Sequence, residues 1–200
     1  METKQARSLA LMKEILKGDF FDLTLVGYEI REDFETGETR MACRVRDSHT
    51  GDVQTIEGQG VGLIDAFFHG LKARLADRYR SLESIRFVRF LVKGKMDTGH
   101  DPASTDAMAE VTLGVRNSYG NEFDFRHSSR SVMRSGLEAT LSAAEYFVNS
   151  ELAFVTIHRA LQDAKAKRRE DMVNKYTHML SSLVENTSYS EVLEQMRKQI

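Results

Sequence analysis

The chain has no tryptophan, a single cysteine and a single proline in 200 residues, and no apolar run of bilayer length. One cysteine excludes an intrachain disulfide and fits a reducing compartment, so a cytoplasmic location is expected. That residue, Cys43, sits in the strand-like run MACRVRD and reads as a packed thiol. Pro102 marks the longest loop. Charge of one sign is also missing: 28 Lys and Arg face 30 Asp and Glu, leaving −2 and no global pull toward nucleic acid or an anionic membrane. The six histidines form neither H-x-H nor H-E-x-x-H, and no nucleophile–base–orienter set stands out. Asp97, His100, Asp101 and Asp106 gather in one loop, where a solvated acidic segment is expected rather than a metal site. No cofactor is expected. Lys165, Lys167, Arg168 and Arg169 lack interleaved aromatics and read as a wet helix face.

What is present is a soluble, globular composition, 41% hydrophobic and 29% charged. The N-terminal METKQARSLALMKEILKG has no signal-peptide core and reads as an amphipathic helix over about 5–17, with Leu9, Met12, Ile15 and Leu16 on one side. Period-2 alternation then marks strands at Phe20–Ile30, Thr39–Asp47 and Val53–Gly58. A helix follows from Leu63, with Ile64, Phe67, Phe68, Leu71 and Leu75 on one face. The pattern repeats: strands at Ser84–Gly94, Ala107–Asn117 and Glu122–His127 precede a helix opening near Ser131, where Ser128, Ser129 and Ser131 read as caps. Its stripe is Met133, Leu137, Leu141, Ala144, Val148, Leu152 and Val155. The expected class is α+β: tandem βββα units of antiparallel meanders, with an N-terminal helix over 1–18, a main domain over 19–150 and a helical extension over 151–200. In that extension the stripe breaks at AKAKRRED and resumes at Met172, Tyr176, Met179, Leu180 and Leu183, and a capping box at Ser188–Glu191 predicts a last helix over Glu191–Lys198. These apolar positions are read either as packing on the chain's own domain or as self-association.

The stretch GQGVGLIDAFFHGLK (Gly58–Lys72) alternates three glycines and runs straight into a helix. Glycine there permits a positive φ and close backbone approach, and a helix start offers free amides to an anion. The spacing G-x-G-x-G in an antiparallel setting does not fit a dinucleotide fold, and no phosphate loop is present. A tight turn without ligand and a binding loop both stay open.

GQGVGLIDAFFHGLK resembles the strand-to-helix junction of the C-terminal regulatory, dimerisation domain of 2-isopropylmalate synthase and citramalate synthase. STDAMAEVTLGV (Ser104–Val115), NEFDFRHSSRSVMRSGLEATLSAAE (Asn121–Glu145) and RFLV (Arg89–Val92) resemble further segments of that domain, so the similarity spans about 20–145. The sequence departs from it where Gly62 replaces a common proline, Ser131 an aspartate, and Glu145 a frequent asparagine. The resemblance implies a domain that binds leucine, or isoleucine in relatives, near an interface between two copies. Carried over, Gly58, Gly60, Val61, Gly62, Leu63 and Ala66 would line the pocket. Phe90 stands where the family has tyrosine, and Asp106, Ala107 and Ala109 would close the site, with Asp106 facing the ammonium. Asp65 also matches, with charge stabilisation at the helix start as its simpler role.

The resemblance does not carry catalysis here, because the family's barrel and its metal-binding H-x-H segment have no counterpart in these residues. The expectation is therefore a non-catalytic, allosteric amino-acid-binding protein that forms a homodimer and contacts neither nucleic acid nor membrane. Two alternatives remain: a regulatory subunit working with a separate catalytic barrel chain in leucine or isoleucine biosynthesis, or a dimerisation scaffold without a ligand.

Overall fold

The computed structural model describes residues 3–96 and 107–184. Its order is α1 (Lys4–Leu16), β1 (Leu23–Asp33), β2 (Glu38–Asp47), β3 (Val53–Gly60), α2 (Leu63–Leu75), β4 (Arg86–Met96), β5 (Ala107–Arg116), β6 (Glu122–Ser129), α3 (Val132–Ala166) and α4 (Glu170–Val184). The strands form two antiparallel three-stranded meanders, β1-β2-β3 and β4-β5-β6. The doubling extends to detail. Strand lengths are 11, 10 and 8 residues in both units. Each first strand is bulged at the same place, between Leu25 and Gly27 and between Phe87 and Arg89. The acidic loop at 97–106 and the helix expected over Glu191–Lys198 lie outside the described residues.

Alternation decides which face of the first sheet is covered, while the middle of β5 is buried on both faces, Thr112 and Gly114 included. Thr39, Met41, Cys43 and Val45 of β2 are buried, as are Ala109, Val111, Leu113 and Val115 of β5. Helix α2 lies on β3 and β2, α3 lies on β5 and β6, and the two helices touch. Phe68 of α2 packs on Phe87 of β4 with ring centroids 4.5 Å apart, joining the units. Phe123 and Phe125 of β6 meet Tyr146 and Phe147 of α3.

The seat of α2 on β3 is backbone against backbone. A Cβ at Gly58 would stand 1.9 Å from the Ala66 carbonyl oxygen, and one at Gly70 would stand 2.6 Å from that of Glu57. Neither residue has a positive φ. These glycines serve approach alone.

Helix α3 is 35 residues long and passes position 150 without a break; Glu151, Ala153, Phe154 and Ile157 beyond it are buried. It ends at the charged run, where Arg168 takes a left-handed φ of 52° and α4 turns back along α3. Alanines 139, 143, 144 and 153 admit neighbours on several sides, so α3 is central to the molecule and not a helix with one apolar stripe.

Polar side chains of α3 fix the segment entering β1. Asn149 accepts the Phe21 amide and donates to the Phe21 carbonyl, both at 2.7 Å, and Glu145 Oε1 accepts the Leu23 amide at 2.7 Å. These bonds explain why Phe20–Asp22, expected to open the first strand, stay out of the sheet. Two residues beyond Asn149, buried Glu151 accepts the Ser81 amide at 2.8 Å, and burial raises its pKa.

Two outcomes follow from this packing. Gly58→Ala should lose about 1–3 kcal/mol in denaturant unfolding, because backbone must move to admit the methyl, whereas Gly62→Ser should change stability by under ~0.5 kcal/mol, since Gly62 has nothing within 4 Å of its Cβ position and serine caps well. The second concerns Glu145. Burial pushes its carboxyl up to about 8, with the charges of Asp22 and Glu138 adding to the rise and the Leu23 amide and Lys13 opposing it. A folded pKa above the usual carboxylate value means that stabilisation by the protonated form is complete below pH ~4.5 and is lost as pH rises through about 8. Thermal midpoints should therefore fall between pH 5 and about 8–9 in the parent and fall less in Glu145→Gln, which keeps an acceptor for Leu23.

Candidate functional site

The β3–α2 junction stands beside the second sheet and the first turn of α3. Gly62 is the N-cap of α2, extended at φ 179°, and supplies no side-chain cap. Asp65, in the first turn, reaches back instead, and its Oδ2 accepts the Val61 amide at 3.1 Å. A Cβ at Gly60 would stand 2.4 Å from that oxygen and 2.7 Å from the Ala66 nitrogen. Gly60 has no positive φ either, so of the two properties glycine offers at this junction, a positive φ and close approach, the corner uses close approach. His69 bridges the same corner, with Nδ1 2.9 Å from the Gln59 carbonyl and Nε2 3.6 Å from Asp65.

A groove of about 570 Å³ opens here, within the size range of small-ligand sites. Its walls are Val61, Gly62, Leu63, Ile64 and Asp65 from the junction, Phe87 to Phe90 from β4, Leu113 from β5, and Val132, Met133 and Gly136 from α3. The lining is apolar except for Asp65 and Arg89. Arg89 is turned away from it across the outer face of the sheet, with a nitrogen 2.9 Å from Asp124 and 3.5 Å from Glu122. The groove can hold a branched aliphatic group, and its polar equipment is concentrated at one end. There, the amides that open α2 have no intrahelical acceptor by geometry, and the Asp65 carboxylate stands beside them.

Of the residues expected to line a site, Val61, Gly62, Leu63 and Phe90 come together in this groove. Gly58 lines another cavity, of about 830 Å³, between the first sheet and α2, whose rim carries Glu29, Arg31, Arg40 and Glu57. Gly60 faces Asp65 and Ala66, and Ala66 is fully buried beneath it. Ala109 is buried, and its carbonyl accepts the Ser135 hydroxyl at 3.0 Å. Asp106 lies outside the described residues, and Ala107 opens β5. Ile64, Phe87, Leu113, Met133 and Gly136 were not anticipated as lining. Periodicity put Ile64 and Met133 on the apolar faces of their helices, and the groove lies between those two helix starts.

A third cavity, of about 760 Å³, lies under α1 and includes Lys13, Asp22, Arg126 and Glu145. It is crossed by ionic groups of both signs and is lined by the first turn of α1. Cys43 is fully buried, and burial followed by the charge of Glu138 raises its thiol to about 11, so it is no nucleophile at neutral pH. Among the described residues, no three His, Cys, Asp or Glu side chains are grouped to hold a metal ion, and no helix is long and apolar enough to cross a membrane.

Comparison of the chain with models of protein families and with curated proteins found no match in either set.

The corner is testable by coupling. Gly60→Ala should cost about 1–3 kcal/mol in urea unfolding. Asp65→Ala should cost about 1 kcal/mol, through the lost Val61 bond. The double variant should lose less than the sum, because the new methyl meets Asp65 Oδ2 before any other atom.

Proposed function

We propose that the chain is a non-catalytic, regulatory amino-acid-binding protein of the type found at the C-terminus of 2-isopropylmalate synthase, working as a dimer. The apolar groove at the start of α2 is the observation that carries this reading. It receives the branched side chain of leucine or a similar amino acid. The opening amides of α2 take the ligand's carboxylate, and Asp65 takes its ammonium. That assignment explains why an acid at the rim is compatible with an anionic group in the same ligand: the ligand is a zwitterion. The sequence resemblance over about 20–145, together with the βββα-βββα order, supports the family type.

Isothermal titration against leucine, isoleucine, valine and the matching 2-oxo acids tests the proposal. The amino acids should bind, and the 2-oxo acids should bind at least about tenfold more weakly, because they lack the ammonium that Asp65 holds. Phe90→Ala should weaken leucine by about tenfold or more, through lost apolar contact. Silence across the whole panel from a folded protein would overturn the proposal and leave a scaffold without a ligand.

A further inference from the structure

The first strands of the two units are sheet edges, and each bares its apolar residues at equivalent places. In β4, Val88, Phe90, Leu91 and Val92 are 40–50% exposed; in β1, Val26 and Tyr28 are 38% and 37% exposed. Counting from the shared bulge, Val26 matches Val88 and Tyr28 matches Phe90. A bare apolar edge with unpaired backbone groups is a site for strand addition. Charge selects the partner. Strand β4, RFVRFLVKGKM, has basic residues and no acid. Strand β1, LTLVGYEIRED, carries Glu29, Glu32 and Asp33 against Arg31 alone. Two β4 strands would repel each other, whereas β4 and β1 attract.

We propose that the dimer forms by antiparallel pairing of β4 in one copy with β1 in the second, so that a twofold axis makes both junctions and two continuous six-stranded sheets. The register places Phe90 opposite Tyr28 of the second copy, which sets Arg86 against Glu32 of the second copy. This deepens the function proposed above, from which it takes only the dimer; it needs no ligand. It also places the second copy beside the groove, because Phe90 belongs to both surfaces.

Cysteine cross-linking tests it. Tyr28→Cys and Phe90→Cys together, under mild oxidation, should give a covalent species of about twice 22.7 kDa, while either change alone should not; buried Cys43 does not compete. Cross-linking by Phe90→Cys alone would show β4 paired with β4 and overturn the proposal. A monomer by light scattering in the parent would overturn it too. As a second measurement free of cysteine, Glu32→Arg should raise the dimer dissociation constant about tenfold or more, and adding Arg86→Glu should restore it; circular dichroism verifies the fold of each. No restoration by the second change would overturn the register. Leucine binding is scored separately: a protein that binds leucine but fails to cross-link overturns the edge pairing and leaves the groove standing.

Discussion

The closeness of α2 to β3 governs the first half of this molecule. Three positions without a Cβ, Gly58, Gly60 and Gly70, let helix backbone rest on strand backbone. Any side chain there would push α2 outward. Phe68 would then leave Phe87, and the link between the first unit and the second sheet would open. The same closeness places Asp65 within reach of the Val61 amide. The seat therefore determines packing, the joining of the two units and the polar end of the groove together.

Most of the fold was legible because its signals are local. Alternation in TRMACRVRD separates buried Met41, Cys43 and Val45 from exposed Arg44 and Arg46, and a half-buried strand needs nothing more. The helix spacing of Phe67, Phe68 and Leu71 reads as one buried face, and these residues are buried. Illegible parts depend on partners remote in sequence. Phe20–Asp22 are expected from sequence to open the first strand, yet Phe21 is held by Asn149 and Leu23, just after them, by Glu145, both more than 120 positions away. Helix α3 has a recognisable apolar stripe, but its burial on other sides comes from α1, α4 and the loop before β4. Nothing within its own periodicity announces them.

The candidate site was legible in half. A glycine-rich junction marked one wall of the groove, and Val61, Gly62, Leu63 and Phe90 line it together. The glycines themselves were harder to interpret. From sequence, a glycine needed for a left-handed turn and a glycine needed for a close neighbour are alike. Here the left-handed glycines are Gly37, Gly51 and Gly120, all in turns, while the junction uses the other property. The far wall, from Met133 and Gly136, was invisible because it depends on how the start of one helix meets the start of another.

Comparison of the two junctions shows that the two helix starts beside the groove are capped differently. Gly60 pairs with Thr39 in the first sheet as Ser129 pairs with Ala109 in the second, and Gly62 and Ser131 are the two N-caps. At the second junction hydroxyls knit the corner together. Ser129 Oγ lies 2.9 Å from Ser135 Oγ and accepts the Ser131 amide, Ser135 donates to the Ala109 carbonyl, and Ser131 accepts the Arg134 amide. The chain's own side chains meet the needs of that helix start. At the first junction glycine replaces the capping serine, so α2 opens without a side-chain cap and with Asp65 as its one local acid. Two units with the same strand lengths and the same bulge have thus diverged at the point where strand becomes helix. One corner is satisfied internally, and the other is left with amides, a carboxylate and an apolar wall.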